Sequence, residues 1–468
     1  MKTPWSVLAL ALLLGACALP GPGRLPADSV ANSAAASAPF VESGRPEFDA
    51  ADPPGPWWRL YRDTQLDALV EQALAANTEV RVAIANLAQS EAMVAEVNGA
   101  RELRIGASAT AVRAQESAEA YLLPEKLPVE NLADAGIRVA WQADLAGALK
   151  RASEAAAADA EVSRSLLRAA RMTIAAEVAR QYVENCAASA ELNVAEQQLA
   201  LQQRQATAIA RQVAGGRRAA PDIPRSHAAA EEIRATLPGL SARRRIARYR
   251  LAVLTGHPPA ESPLAAGACT APPSLEQALP VGDGAGLLRR RPDIRQAEFM
   301  LAGATARLGI AQAALYPTVT LGLGVGATGL LEHFGQPQTQ RWSLGPLISW
   351  TLPGTAERAR VRAADAASVA ALAHYDGVVL HALEEVESAM ANLGRDLDRD
   401  AALRKAREEQ GQSAQAIQKL YQGGRLTVLD DIDAQRALSN ADMALAVSAE
   451  QIASDQVRLF LTLGGGWQ

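Results

Sequence analysis

Two aspartates three residues apart, Asp430 and Asp433, form the clearest pattern in this sequence that could do chemistry. On a helix this spacing places both carboxylates on one face. Grouped carboxylates favour cations and repel anions, and crowding of like charges raises the pKa of at least some of them. An isolated acidic pair of this kind more often lies on a solvated helix surface. Its function therefore depends on the elements that position it.

Residues typical of enzyme and metal sites are present, but their spacing does not fit such sites. The five histidines contain no HExxH pair, the three cysteines contain no CxxC pair, and no GxSxG sequence occurs. Residues 324–329 match G-x-G-x-x-G, yet no helix opens at their end and no alternating βαβ series surrounds them. We predict no enzyme activity, no cofactor and no metal.

Composition indicates a helical protein without a nucleic-acid partner. The 468 residues are 49% apolar, a content that excludes wholesale disorder. With 46 basic against 51 acidic residues, no excess of positive charge attracts nucleic acid. The basic run at 243–245 is interpreted as a solvated helix face. The apolar residues are mostly alanine and leucine, which suit long, closely packed helices.

The first residues are typical of an export signal. Met1-Lys2 precedes an apolar run from Val7 to Leu14, which is too short to span a bilayer at about 20 residues. We predict a signal peptide over 1–16. The following stretch, 17–56, is rich in proline, glycine, alanine and serine, and we interpret it as a tether.

The sequence Leu14-Gly15-Ala16-Cys17 resembles the bacterial lipobox. This resemblance implies cleavage before Cys17 and acylation of that cysteine, with the acyl chains held in membrane lipid. Because Ala18 follows the cysteine, the resemblance also implies sorting to the outer membrane.

Cys186 and Cys269 are the cysteines that remain after lipidation of Cys17. An oxidising periplasm permits a disulfide between them. Cys186 lies in a predicted helix and Cys269 in a proline-rich linker, and two cysteines lack the density of a disulfide scaffold. These features weigh against the bond, and the sequence leaves the pairing open.

Proline-free windows and alternating residues predict the secondary structure. Proline is absent from 57–123, 129–220 and 354–468, which are rich in helix-forming residues. By contrast, the residues from Val319 to Gly326 alternate between apolar and small, with the period of a strand. We predict a mainly α-helical chain with long coiled-coil helices and four strands, at about 103–115, 136–145, 317–328 and 342–352.

An internal repeat divides the chain into two similar halves. Corresponding residues keep the same order in both halves, at offsets between 207 and 214. Examples are Trp141 with Trp350, and Gly215-Gly216 with Gly423-Gly424. The pattern of helix, hairpin, helix, turn and helix occurs twice. We predict a first repeat over 57–256, a linker over 257–284, a second repeat over 285–464 and a tail over 465–468.

Four strands per chain are too few to close a membrane barrel. Tilted strands of roughly 9 to 11 residues with one apolar face suit an outer membrane. Open strand edges within lipid leave backbone groups without hydrogen bonds, at a cost of several kcal/mol each. Strands from several chains must therefore share one barrel, so the sequence requires an oligomer.

Three separated motifs resemble the TolC-like outer-membrane factors, in the lipoprotein branch that serves RND-type tripartite efflux systems. The motifs are Trp57-Trp58 with the stretch from Ala73 to Asn77, the run from Leu287 to Glu298 that contains RRRPDIR, and the run from Tyr421 to Arg436. The resemblance covers about 57–464. It implies a homotrimer in which twelve strands close one small outer-membrane β-barrel, continued by a periplasmic α-helical tunnel.

By this resemblance the chain is the passive exit duct of a tripartite efflux pump that exports small molecules such as drugs. Its implied partners are a periplasmic adaptor, or membrane fusion protein, and an inner-membrane RND-type pump reached through that adaptor. Asp430 and Asp433 would gate the aperture, and Tyr421 would link neighbouring helices at the tip. The adaptor would dock at the turns formed by Gly215, Gly216, Gly423 and Gly424.

Two other functions fit part of the sequence. The same duct could serve an ABC-type exporter of peptides or proteins, although lipidation and the RRRPDIR run favour small-molecule efflux. A periplasmic coiled-coil scaffold lipoprotein would have no membrane strands, so the two hairpins argue against it.

Leu103 stands where the resemblance leads us to expect a proline like Pro317, so the start of the first strand is less sharply defined. Residues 116–130 are predicted to be an acidic surface loop.

Overall fold

The computed structural model of the chain describes residues 29–119, 122, 124–264, 269–275 and 277–465. The predicted signal peptide and Cys17 lie outside these residues. The described residues belong to two compact units. The sheet unit comprises 86–163 and 296–375, and the helical unit comprises the described residues of 27–85, 164–295 and 376–468.

Helices make up most of the described chain, which confirms the mainly helical fold. Two of them, of 67 and 68 residues, far exceed the usual length of globular helices and contain no proline. The helices are α1 (Ala34–Ser37), α2 (Thr64–Ala76), α3 (Thr78–Gly99), α4 (Ala148–Ala214), α5 (Asp222–Leu254), α6 (Gly284–Arg290), α7 (Pro292–Ala313), α8 (Thr355–Gln422) and α9 (Val428–Thr462).

The strands of the described residues form two sheets. In the helical unit β1 (Phe48–Asp49) pairs in parallel with β4 (Leu279–Pro280). In the sheet unit four longer strands form one antiparallel sheet in the order β2-β3-β5-β6. These strands are β2 (Arg104–Gln115), β3 (Val129–Ala143), β5 (Thr318–Leu330) and β6 (Gln340–Ser349).

The strand β3 begins earlier than the sequence predicts, at Val129 rather than at 136. Its first residues pair with the C-terminal half of β2, from Gln115 opposite Val129 to Ala109 opposite Ala135. Backbone hydrogen bonds make this ladder, so it does not need the apolar alternation from which the strand was predicted. The predicted loop at 116–130 is correspondingly shorter at its end.

The four-stranded sheet has one apolar face, as its alternating residues predict. The register places Val325 opposite both Ile137 and Trp342, so apolar side chains of neighbouring strands lie side by side. This face is exposed: Trp342 retains 78% of its accessible surface and Leu344 retains 72%. Within the described residues β2 and β6 are the edge strands of the sheet. The four-stranded sheet therefore combines a large exposed apolar face with two open edges.

The described part of the predicted tether, residues 29–56, packs onto the helical unit. The N–H of Val41 donates a hydrogen bond to Oε1 of Glu387 in α8 at 2.7 Å. Phe40 and Phe48 are buried, with 4% and 7% of their surface exposed. Residues 29–56 are therefore held against the helices by buried aromatic side chains and specific hydrogen bonds, which the average composition of the stretch does not indicate.

Cys186 and Cys269 form a disulfide, with their Cα atoms 5.0 Å apart. The positions of the two cysteines in a predicted helix and a proline-rich linker do not favour this bond, and the pairing left open by the sequence is formed in the structure. Cys186 is fully buried in α4, and the linker after α5 folds back so that Cys269 reaches it. Arg248 of α5 helps to hold this linker by donating a hydrogen bond to the carbonyl of Leu264 at 2.6 Å. Such a return of the chain is a tertiary contact without a local sequence signal.

Arg291, in the arginine-rich motif, joins several helices of the helical unit. Its guanidinium forms an ion pair with Asp293 at 2.9 Å and another with Glu385 of α8. It also donates to the carbonyls of Ala382, at 3.3 Å, and Thr462, at 3.1 Å. The side chain is only 10% exposed. Since a buried guanidinium must be paired to be tolerated, this part of the motif is structural.

The disulfide predicts a defined pattern of alkylation. We expect peptides containing Cys186 and Cys269 to resist iodoacetamide in denaturant until a reductant is added, which peptide mass spectrometry measures. Replacing both cysteines by alanine should lower stability by about 2–4 kcal/mol, because the bond closes a long loop. Thermal unfolding of oxidised and reduced wild type gives the matched comparison. Alkylation of both cysteines without reductant would contradict the bond.

Candidate functional site at the helix turns

The long helix α4 ends in a glycine turn. Beyond its last residue, Ala214, Gly216 has a φ of +69°, in the left-handed region. The N–H of Arg217 donates to the carbonyl of Gln212 at 2.8 Å, and the N–H of Gly216 donates to that of Val213 at 2.9 Å. These two bonds make a Schellman motif, in which glycine avoids the steric penalty of a Cβ atom.

The other long helix, α8, ends in the same way. Gly424 has a φ of +73°, and the N–H of Arg425 donates to the carbonyl of Leu420 at 2.9 Å. A Cβ atom built on Gly216 or Gly424 would meet nothing within 4 Å. Backbone conformation, and not lack of space, therefore requires glycine at the second position of each pair. Both turns are exposed.

Asp430 caps the helix that follows the second turn. The N–H and the hydroxyl of Thr427 donate to Oδ2 of Asp430 at 2.7 and 2.6 Å. The N–H of Asp430 in turn donates to Oγ1 of Thr427 at 3.4 Å, which completes a capping box at the start of α9. These hydrogen bonds, the hydroxyl first, hold the pKa of Asp430 below its usual value. Within one chain the local effect is thus opposite to the rise expected from crowding. In the sequence, the spacing T-x-x-D from Thr427 to Asp430 is the signal for this capping box.

Asp433 is exposed and connects α9 to α4. Its Oδ1 accepts a hydrogen bond from Nε2 of Gln205 at 3.1 Å and lies 3.7 Å from Nη1 of Arg436. Arg436 also donates to Oε1 of Gln202 at 2.6 Å and to Oε1 of Gln205. The side-chain oxygens of both buried glutamines thus accept from Arg436, whereas their amides donate to Asp433 and, at 3.3 Å, to the carbonyl of Ser226 in α5. Both glutamines and Arg436 were not identified from the sequence. The available signal was that Gln202 and Gln205 are three residues apart, as are Asp433 and Arg436 on the facing helix.

A recess of about 630 Å³ lies beside these residues in the helical unit, and its lining includes Arg204, Arg211, Tyr421 and Asp431. Asp431 is 8% exposed, and its Oδ1 has no hydrogen-bond partner among the described residues. Its Oδ2 accepts a hydrogen bond from Gln435 at 2.9 Å. Tyr421 is 38% exposed, and no residue in the described part of the chain hydrogen-bonds to its hydroxyl. The helix link predicted for Tyr421 is not made within one chain.

The remaining motif with a chemical interpretation is part of the sheet. Residues 324–329, which match G-x-G-x-x-G, lie inside β5 and not at a strand-to-helix turn. Among the described residues no three His, Cys, Asp or Glu side chains are grouped so that they could ligate a metal ion.

Comparison with known proteins gives concordant matches. The family model described as outer membrane efflux protein matches residues 69–257 and 286–465. Nodulation protein T of Rhizobium leguminosarum bv. trifolii is 27% identical over 88% of both chains. Outer membrane protein OprJ of Pseudomonas aeruginosa is 28% identical over 99% of this chain and 95% of its own. Among solved structures, the outer-membrane channel OprN has a TM-score of 0.85 at 31% identity, covering 96% of this chain and 99% of that one.

The glycine turns predict an asymmetry within each pair. We expect Gly216→Ala or Gly424→Ala to destabilise its turn by about 1 kcal/mol, because a Cβ atom is strained at positive φ. Hydrogen exchange should then be roughly fivefold faster at the amides of Arg217 or Arg425. Gly215→Ala and Gly423→Ala are the matched controls and should change exchange little. Equal effects in both positions would show that the backbone conformation is not the reason for the glycines.

The capping box predicts a pH-dependent helix start. Because the pKa of Asp430 is lowered on folding, its stabilising effect is present above the unfolded value of 3.8 and is lost as pH falls through the folded value. Thr427→Ala should remove this effect and increase hydrogen exchange at the start of α9 at neutral pH, whereas Thr427→Ser should retain protection. The prediction fails if Thr427→Ala leaves exchange unchanged at neutral pH.

Proposed function

Because this chain belongs to the outer membrane efflux protein family, we propose that it is the exit duct of a tripartite efflux pump. The resemblance drawn from its sequence motifs is thereby confirmed, together with an outer-membrane location. The finer assignments are proposals: small molecules such as drugs as cargo, passive transport, and an RND-type pump that supplies the energy through a periplasmic adaptor.

The observation that carries this proposal is the exposed apolar face of the four-stranded sheet. Trp342 and Leu344 of β6 and Ile137 of β3 keep more than half of their surface exposed. Exposed apolar surface of this extent is unfavourable in water and favourable in lipid. A sheet with alternating faces and an apolar outside is the form in which strands cross an outer membrane.

The open edges of the same sheet support a trimer. In lipid, the outer backbone groups of β2 and β6 need hydrogen-bond partners. An edge β2 of one copy beside an edge β6 of the next supplies them. Three copies with four strands each give the twelve-stranded barrel implied by the family resemblance, and the acyl chains on Cys17 would hold the same molecule to the membrane.

The two glycine turns are the proposed docking sites for the adaptor. Both are exposed, and no atom lies within 4 Å of a Cβ position at Gly216 or Gly424. A partner can therefore approach the bare backbone closely. The same hydrogen-bond pattern at both turns would offer the adaptor two similar sites per chain, consistent with repeats over 57–256 and 285–464 that descend from one unit.

Asp430 and Asp433 are the proposed aperture gate. Both are exposed, and a trimer would bring six of these carboxylates around one axis. The bonds from Asp433 to Gln205 and Arg436 hold α9 against α4, so opening must break or rearrange them. The unpaired hydroxyl of Tyr421 is available to a neighbouring copy, in keeping with a helix-linking role at the tip.

Single-channel conductance tests the duct and its gate. We expect the purified wild-type protein in planar bilayers to give a small, cation-selective conductance, because a carboxylate ring attracts cations at a narrow aperture. Replacing Asp430 and Asp433 by alanine should increase the conductance and reduce the selectivity for cations. It should also weaken any dependence of conductance on pH.

A charge-matched control separates the gate from a general charge effect. Glu231→Gln with Glu232→Gln removes two carboxylates from α5, which the family resemblance does not assign to the aperture, and should leave the conductance unchanged. A similar increase in this control would remove the assignment of the gate. No conductance from either folded, membrane-inserted form would rule out the duct itself.

A further inference from the structure

The second face of the four-stranded sheet carries small residues around a few long charged ones. In register, this face contains Gly106 and Ser108 of β2, Gly136 of β3, Gly324 and Gly326 of β5, and Ser343 of β6. Three charged residues lie among them on the same face: Asp134, Arg138 and Arg341. Because their neighbours are small, these side chains determine the electrostatics of the face.

Arg341 reaches across the sheet to Asp134. It lies on β6, opposite Gly326 of β5, which in turn is opposite Gly136 of β3. Its Nη2 is 2.8 Å from Oδ2 of Asp134, and its Nε donates to Thr328 at 2.7 Å. A Cβ atom on Gly136 would lie 3.0 Å from the carbonyl oxygen of Val325 and 3.5 Å from the Arg341 guanidinium. The guanidinium thus passes over Gly136 at ordinary contact distance, where the neighbouring strand is also close.

Arg138 leaves this cluster with an excess of positive charge. It is exposed, and it makes no ion pair or hydrogen bond within the described residues except its electrostatic interaction with Asp134. Two arginines thus share one aspartate. The other charged residues of this face, Arg104 and Glu130, are opposite in charge and lie at opposite ends of the sheet. At the level of the cluster the face is net positive.

We propose that Arg138, with the Arg341–Asp134 pair, forms a positive ring inside the barrel that selects anionic cargo. This assignment rests on the proposed barrel, in which the apolar face meets lipid and the small, charged face meets the lumen. Three copies bring three uncompensated positive charges to one level of the pore. Rings of arginine favour anions, so solutes bearing a carboxylate or phosphate pass this level more easily than cations.

The ion selectivity of the channel tests directly whether Arg138 forms a positive ring. The test uses the full-length protein in planar bilayers, with Asp430→Asn and Asp433→Asn in every sample so that the aperture does not set the selectivity. The zero-current potential in a tenfold KCl gradient gives the permeability ratio of chloride to potassium. We expect Arg138→Gln to lower this ratio by about two- to fivefold, because the ring loses its net charge.

Two further variants make the result specific. Arg138→Lys keeps the charge and should keep the ratio. Arg113→Gln removes an arginine from the opposite, apolar face, where Arg113 hydrogen-bonds Asn131 at 3.4 Å, and should also keep it. Conducting channels whose ratio does not change with Arg138→Gln, or changes equally with Arg138→Lys, overturn the ring and leave the duct intact. No conductance from any membrane-inserted form removes the barrel, and with it both proposals.

Discussion

Backbone hydrogen bonding in lipid is the constraint on which this molecule depends. A sheet that exposes Trp342 and Leu344 on one face needs an apolar surrounding, yet that surrounding cannot satisfy the edges of β2 and β6. One chain cannot resolve this conflict, because its described residues supply only four strands to the sheet. Association with further copies resolves it, and the proposed trimer follows from this requirement together with the family resemblance. Along the chain each hairpin is flanked by helices, and the two longest helices follow the hairpins directly.

The parts of the fold that could be predicted are those with a local period or a fixed residue requirement. The alternation from Val319 to Gly326 identifies β5 because neighbouring side chains of a strand face opposite sides. The glycine pairs identify the ends of α4 and α8 because only glycine adopts positive φ without strain. The early part of β3 was missed because Asn131 lies on its apolar face and Leu132 on the opposite face, which interrupts the alternation.

The contacts that could not be predicted join residues far apart in the chain. Val41 and Glu387 are separated by 346 residues, and Cys186 and Cys269 by 83. Neither pair belongs to a periodic pattern. Composition therefore indicated a tether and left the disulfide open, whereas the structure has a packed segment and a disulfide. At the candidate site, the spacing of Asp430 and Asp433 found the acids, but Gln202 and Gln205 were missed. Their spacing of three matches that of Asp433 and Arg436, but the sequence does not show which helices face each other, so it does not show what the glutamines bind.

The hydrogen bonds of Asp430 change how a carboxylate gate would respond to pH. Like charges brought together by a trimer favour protonation, whereas the capping bonds from Thr427 favour the ionised form. A proton on the capped oxygen of Asp430 would have to displace these bonds and loosen the first turn of α9. The charge of Asp430 is therefore coupled to the order of the helix start. Asp433 lies on the same helix and bonds to α4 through Gln205, so loosening of this turn would be transmitted to the contact between the two helices. In this arrangement the proposed gate would respond through helix stability as well as through charge.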